Sequence, residues 1–197
     1  FTRARAGGLR IAIHAIGDAA IGQALDTFAA TGAVGGIEHA QLVTHADVAR
    51  MAALGISASV QPAHLLDDRD VAASCWPDRQ ERCYPFRSML DAGVALRLGS
   101  DAPISPLDPW LAMAAAVHRS ADERPPWTPA EGITAAEALA ASTDGQPTIG
   151  PGSRADLVLL DADPLAAADS TEQAAAHLRR MPVAATFLCG RQVHPTP

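Results

Sequence analysis

The sequence contains no lysine, and all fifteen of its cationic side chains are arginines. This excludes a Schiff-base lysine and a carboxylated lysine metal ligand anywhere within these residues. Cysteine is scarce as well, and Cys75, Cys83 and Cys189 show no C-x-x-C spacing. The sequence therefore supports neither a disulfide framework nor a zinc knuckle, and a reducing, cytoplasmic location is the expectation.

Clustered positive charge and long apolar runs are also missing. The formal net charge is −7, which argues against a nucleic-acid partner because binding to phosphates requires clustered cations. The longest apolar run, from Trp110 to Val117, is far shorter than the roughly 20 residues of a membrane span. We therefore expect no nucleic acid and no membrane among the partners. With 197 residues, 48% of them hydrophobic, the chain can bury a core.

Short apolar runs alternate with helical patterns through the first hundred residues. Asp18 is a candidate cap for the first helix, whereas Thr44, with Asp47 three residues later, resembles a capping box, and Gly55 is suited to end the helix that follows. The predicted strands are 10–14, 34–39, 56–61 and 94–98. Strands and helices that alternate in this way predict a parallel sheet with right-handed crossovers.

Two further segments complete the predicted organisation. Residues 62–83 are predicted to form a polar, irregular loop, and a loop of this length in a compact unit is usually functional. Towards the C-terminus, residues 155–161 are predicted to be a strand, and residues 183–188 and 191–194 a hairpin that turns at Cys189-Gly190. These later strands indicate a second, smaller β element.

Three chemically informative residues each end an apolar run. His14, His39 and Asp101 follow separate predicted strands. Because the carboxyl ends of parallel strands lie at one edge of a sheet, this pattern favours a shared site. Neutral imidazoles hold Zn²⁺ or a similar ion, and a carboxylate can carry a proton from water to a leaving amine. We therefore predict metal-assisted hydrolysis, with Asp101 as the catalytic residue.

Each of these residues also has a simpler interpretation. A histidine at a strand end is more often hydrogen-bonded packing than a ligand. Asp101, within Gly99-Ser100-Asp101-Ala102-Pro103, is also suited to initiate a turn. His64 belongs either to a solvated loop or to a substrate pocket. For the remaining histidines a structural role is favoured: they are His45, His118, His177 and His194.

Five motifs occur in order along the chain: His14-Ala15-Ile16-Gly17-Asp18, Ile37-Glu38-His39-Ala40-Gln41, Gln61-Pro62-Ala63-His64, Tyr84-Pro85-Phe86-Arg87 and Gly99-Ser100-Asp101-Ala102-Pro103. Together they resemble the amidohydrolase superfamily, and most of all the branch that contains N-substituted formamide deformylases. The resemblance implies an α/β fold: a distorted TIM (β/α)8 barrel beside a small β-sandwich. It also implies hydrolysis of carbon–nitrogen bonds in amides or cyclic amides with one or two divalent metal ions, zinc being expected.

The resemblance implies a role for each motif. His14 and His39 would be the metal ligands of the fifth and sixth barrel strands, and Asp101 would end the eighth strand, contact the metal and carry the proton. Gln61, His64 and Arg87 would bind the small-molecule amide substrate.

The chain also departs from the family pattern. The His-x-His pair of the first strand and the ligand of the fourth strand are absent. We therefore expect the C-terminal half of such a protein, with strands five to eight in residues 1–145 and part of the β-sandwich in residues 146–197. An isolated fragment of this kind is expected to be inactive and to associate with a missing N-terminal half or with copies of itself.

Two other interpretations stay open. The chain is alternatively a non-catalytic remnant or interaction module that binds no metal. A small, open, doubly wound α/β binding protein ranks last, because the glycine-rich phosphate fingerprint is missing.

Overall fold

The structure is a computed structural model that describes residues 1–143, 146 and 149–195. Its strands are β1 (Ile11–Ala15), β2 (Gly35–His39), β3 (Ser57–Val60), β4 (Leu96–Leu98), β5 (Leu157–Leu160), β6 (Val183–Leu188) and β7 (Arg191–His194). Its α-helices are α1 (Thr2–Ala6), α2 (Asp18–Thr31), α3 (His45–Leu54), α4 (His64–Cys75), α5 (Phe86–Asp91), α6 (Pro109–His118), α7 (Ala135–Ala141) and α8 (Thr171–Arg179). Single 3₁₀ turns occur at Gln80–Arg82 and Pro129–Glu131.

The first four strands form one parallel sheet in the order β1-β2-β3-β4. Helices separate consecutive strands along the chain, so the predicted alternation and the parallel sheet are confirmed. The observed strands lie within the predicted ranges except that β1 extends one residue further, to Ala15. Because all four strands run in the same direction, their carboxyl ends lie at one edge of the sheet.

The two faces of this sheet differ in polarity. Ile37, Ala58 and Val60 are completely buried in the core with the helices. On the opposite face, the strand register aligns His14 with Glu38, Glu38 with Ser59, and Ser59 with Arg97. Side chains alternate between the faces of a strand, so one face is apolar and covered whereas the other is polar and more open.

Local signals account for the helix ends. The Thr44 hydroxyl accepts a hydrogen bond from the Asp47 backbone N–H and thereby caps α3, as predicted. Gly55, with φ 64°, ends that helix in the left-handed region. Thr134 and Glu137 form a complete capping box at α7. The prediction for Asp18 was wrong: Gly17 is the N-cap of α2, and Asp18 is the first helical residue and forms ion pairs with Arg79 and Arg82.

The structure differs most from the prediction at residues 62–83. The predicted irregular loop contains helix α4, which runs from His64 to Cys75. The helix was missed because only Leu65 and Ala72 are fully buried along it, so it shows almost no amphipathic pattern. Polar contacts hold it instead, among them a hydrogen bond from Arg69 Nη1 to the Pro125 carbonyl at 2.8 Å.

The last three strands form a separate antiparallel sheet in the order β5-β6-β7, which confirms the predicted hairpin at Cys189-Gly190. Helix α8 packs against α6, and its Ala175 and Leu178 belong to the same core as the parallel sheet. The predicted domain boundary follows residue 145, which lies outside the described part of the chain. No helix within the described part is long and apolar enough to cross a membrane.

Candidate metal centre

Each strand of the parallel sheet delivers a polar residue to its carboxyl edge. His14 is the penultimate residue of β1, and His39 is the final residue of β2. Gln61 directly follows β3, and Asp101 lies three residues beyond β4. His64 is the first residue of α4, just after β3. The candidates therefore come from four successive β-to-helix connections.

The rings of His14 and His39 meet directly. His14 Nδ1 lies 2.9 Å from His39 Nε2, although the residues are 25 positions apart in sequence. Two imidazole nitrogens approach this closely when they share either a proton or a cation. In tetrahedral zinc sites with Zn–N bonds of about 2.0–2.1 Å, ligand nitrogens are about 3.3 Å apart. The observed separation is that of a hydrogen bond, and the two nitrogens would need to move apart by only about 0.4 Å to bind one ion.

A second group of side chains includes the same His39. His39, His64 and Asp101 each offer one potential ligand atom, and these three atoms lie within 4.8 Å of one another. The His39 and His64 rings are nearly parallel, with their centroids 6.1 Å apart and an interplanar angle of 23°. His64 Nε2 is buried and has no hydrogen-bond partner within the described residues. A buried polar atom of this kind is rare and points to a missing partner, such as an ion or a water molecule.

The electrostatic surroundings favour neutral His39. Burial lowers its pKa below the ordinary value of 6.5, and the neighbouring His14 lowers it further. The Asp101 carboxylate acts in the opposite direction, as does a hydrogen bond with the Gln61 side chain. Because only a neutral imidazole can bind a metal ion, the lowered pKa keeps His39 competent as a ligand near neutral pH.

Backbone geometry also marks this edge. His39 has φ 73° and Asp101 has φ 55°, values that L residues seldom adopt. By register, His39 aligns with Ala15, and His14 aligns with Glu38. Regular alternation would therefore direct the two histidines to opposite faces. The left-handed backbone at His39 breaks this alternation and allows its ring to reach His14.

A hydrogen-bond network that the sequence analysis did not identify holds α4 beside the site. Asp68 Oδ2 accepts hydrogen bonds from Gln41 Nε2 at 2.8 Å and from the Tyr84 hydroxyl at 2.5 Å. Gln41 follows His39 by two residues, and Asp68 follows His64 by one helical turn. The network therefore ties the connection after β2 to the helix that carries His64. The two partners of Asp68 lie 27 and 16 residues from it in sequence, so no pattern of neighbouring residues predicts the network.

Arg87 lies apart from these contacts. Its guanidinium pairs with Glu137 of α7 at 2.7 Å and with Asp91 of its own helix at 2.8 Å. The structure thus brings together His14, His39, His64, Gln61 and Asp101, whereas the described contacts of Arg87 join two helices. Two of the remaining histidines have hydrogen-bonding partners elsewhere: His118 Nδ1 lies 3.0 Å from the Thr171 hydroxyl, and His177 Nε2 lies 2.8 Å from the Asp163 carbonyl.

Comparison with known proteins settles the family. A family model described as "Amidohydrolase family" matches residues 1–194. The chain belongs to the amidohydrolase family. N-substituted formamide deformylase of Arthrobacter pascens is 33% identical over 201 residues, which cover 93% of this chain and 36% of that protein. Protein LONG AFTER FAR-RED 3 of Arabidopsis thaliana is 34% identical over 212 residues, covering 95% of this chain and 34% of that protein.

A solved structure supports the same relationship. The crystal structure of an uncharacterized metal-dependent hydrolase from Pyrococcus horikoshii superposes with a TM-score of 0.67 and 36% sequence identity, over 73% of this chain and 30% of that one. The α/β fold of this chain is thus that of amidohydrolase-like proteins. The chain spans about a third of the length of the curated relatives it matches.

Proposed function

We propose that this chain carries part of the active site of a metal-dependent hydrolase that cleaves non-peptide carbon–nitrogen bonds in amides or cyclic amides. The observation that carries the proposal is the 2.9 Å approach of His14 Nδ1 to His39 Nε2, with Asp101 close enough to affect the pKa of His39. Three separate strands supply these groups, as expected for a metal-assisted hydrolytic site. The family membership and the A. pascens deformylase support the substrate class.

The architecture we propose is half of a barrel. The parallel sheet would correspond to strands five to eight of a distorted (β/α)8 barrel, within a domain of residues 1–145. Residues 146–197 would contribute to a small β-sandwich. Support comes from the strand order, since β1 and β4 each pair on one side only within the described sheet. The remaining strands and ligands would come from an N-terminal half or from a second copy of the chain.

The donor set fits a divalent cation, and zinc is the ion we favour. His14, His39 and Asp101 would hold it, since imidazole nitrogens and carboxylate oxygens are its usual ligands. When bound, such an ion acts as a Lewis acid and makes water nucleophilic near neutral pH. The burial that lowers the pKa of His39 keeps this ligand unprotonated near pH 7.

Asp101 would move the proton. Its exposed carboxylate would accept a proton from the attacking water and deliver it to the leaving nitrogen, so that the amine departs in neutral form. Gln61, which is buried at the end of β3, would orient substrate beside His39. For Arg87 we propose a structural role in place of substrate binding, because its guanidinium is engaged by Glu137 and Asp91.

Metal titration tests the proposal. The metal-free chain is expected to bind one or two zinc ions, and His39→Ala is expected to weaken binding at least 100-fold. His45→Ala is the matched control, because His45 is an exposed histidine at the start of α3. Hydrolysis of N-substituted formamides and cyclic amides is then measured on the longest natural form of the protein, where Asp101→Asn should lower kcat by about 10²–10⁴-fold.

Two results would contradict the proposal. One is unchanged zinc affinity in His39→Ala. The other is undiminished hydrolysis in Asp101→Asn. A wild-type chain that binds no metal and stays monomeric would favour the non-catalytic interaction module instead.

A further inference from the structure

We infer that His64 is a metal ligand beside His39 and Asp101, and not a substrate contact. The inference rests on the proposed function to the extent that a divalent cation binds at this edge of the sheet. It goes further by assigning a ligand from the connection after β3, where the family resemblance implied only a wall of the substrate pocket.

Distances within the cluster support this assignment. The potential ligand atoms of His39, His64 and Asp101 lie within 4.8 Å of one another. Ligand atoms in a tetrahedral zinc site are about 3.3 Å apart, so side-chain adjustments of up to about 1.5 Å would complete the site. Histidine nitrogens and aspartate oxygens are common zinc ligands, and His64 would add a third imidazole to the proposed set of His14, His39 and Asp101.

The unpaired nitrogen of His64 is the second line of support. His64 Nε2 is buried, and it has no hydrogen-bond partner among the described residues. A side chain that merely lined a wet pocket would expose this nitrogen to solvent. Burial without a partner is unfavourable unless an additional group binds the nitrogen. The lone pair of a neutral imidazole beside a carboxylate and a second imidazole is suited to bind a cation.

The position of His64 is also fixed. Asp68, one turn further along α4, is hydrogen-bonded to Gln41 and to the buried Tyr84 hydroxyl. Residues four apart lie on the same face of a helix, so the network that anchors Asp68 also holds His64 towards the site.

Two measurements on the chain test the inference. In zinc titrations by calorimetry, His64→Ala should bind at least 100-fold more weakly than wild type, as should His39→Ala, whereas His45→Ala should bind as wild type does. In wild-type chain with ¹⁵N-labelled histidine, one equivalent of Zn²⁺ should shift the Nε2 resonance of His64 to the range of metal-bound imidazole. The second measurement needs no variant, so it decides the question even if His64→Ala fails to fold.

The outcomes separate this inference from the proposed function. Unchanged His64 resonances, together with weakened binding in His39→Ala and Asp101→Asn, would overturn the role of His64 and leave the metal site intact. A wild-type chain that binds no zinc would overturn both.

Discussion

We expect the substitution Asp68→Ala to lower both the stability of the fold and its affinity for metal. The carboxylate accepts one hydrogen bond from Gln41 at 2.8 Å and one from Tyr84 at 2.5 Å. Tyr84 is 2% exposed, so its hydroxyl would be left in a buried position without this acceptor. Burial, together with the hydrogen bond to Asp68, also raises the pKa of Tyr84, which therefore remains a donor throughout the physiological range.

The expected magnitude follows from these two bonds. A hydrogen bond to a charged group contributes about 1.5–3 kcal/mol, and an unsatisfied buried hydroxyl costs about 1–3 kcal/mol. Because these contributions overlap at Tyr84, we expect Asp68→Ala to lower the free energy of unfolding by about 3 kcal/mol. For a chain of this size such a loss corresponds to a fall in Tm of about 6–12 °C.

Urea unfolding with a double-mutant cycle is the assay. Tyr84→Phe removes the donor and should cost about 1–2 kcal/mol. In the double variant the losses should not add, because without the hydroxyl the alanine leaves one fewer polar group unpaired. Asp67→Ala is the matched control, since Asp67 is the neighbouring, exposed aspartate on α4, and it should stay within about 0.5 kcal/mol of wild type.

The same variant should also affect the metal centre. With the tie to Gln41 removed, His64 loses its fixed orientation, and we expect zinc affinity to fall about 10–100-fold. The reasoning would be refuted if Asp68→Ala unfolded within 0.5 kcal/mol of wild type, or if its effect and that of Tyr84→Phe were strictly additive.

Further predictions concern the core, the thiols and the metal. Arg119 is 1% exposed and donates hydrogen bonds to three backbone carbonyls. Arg119→Met should therefore lower the free energy of unfolding in urea by about 3–5 kcal/mol. The control Arg124→Met removes only surface ion pairs and should lower it by less than about 1 kcal/mol. Burial raises the pKa of Cys83 to about 11, so at pH 8 iodoacetamide should modify the exposed Cys75 and spare Cys83 until the chain unfolds; equal rates in the native state would contradict this. Adding zinc at 100 times its Kd should stabilise the metal-free chain by about 2.7 kcal/mol, and EDTA should reverse the gain in Tm.

Local physics explains which elements the sequence predicts well. The strands that end near His14 and His39 are short apolar runs. The hydroxyl of Thr44 caps its helix by accepting a hydrogen bond from the backbone N–H three residues further along the chain. Both signals lie within a few residues of the structure that they determine. The family resemblance was carried in the same way, by short motifs at strand ends, and the comparisons confirm it.

Long-range contacts explain what the sequence does not predict. Helix α4 has only two buried residues, and it is held by bonds to Gln41, Tyr84 and the Pro125 carbonyl, which lie 16 to 56 residues away. Its polar stretch therefore looks like a solvated loop when only neighbouring residues are considered. Asp68 gave no signal for the same reason, since both of its partners come from other connections.

The ligand geometry at the strand ends shows a different limit of sequence patterns. Alternation along β1 and β2 places His14 with Glu38 on one face and His39 on the other. On that basis the two imidazoles should not meet, yet their nitrogens lie 2.9 Å apart. The φ of 73° at His39 resolves the conflict, because a left-handed residue at the end of a strand redirects its side chain away from the pleat. Such a strained backbone conformation persists only when other interactions compensate its cost. A cation shared by both rings would supply such an interaction.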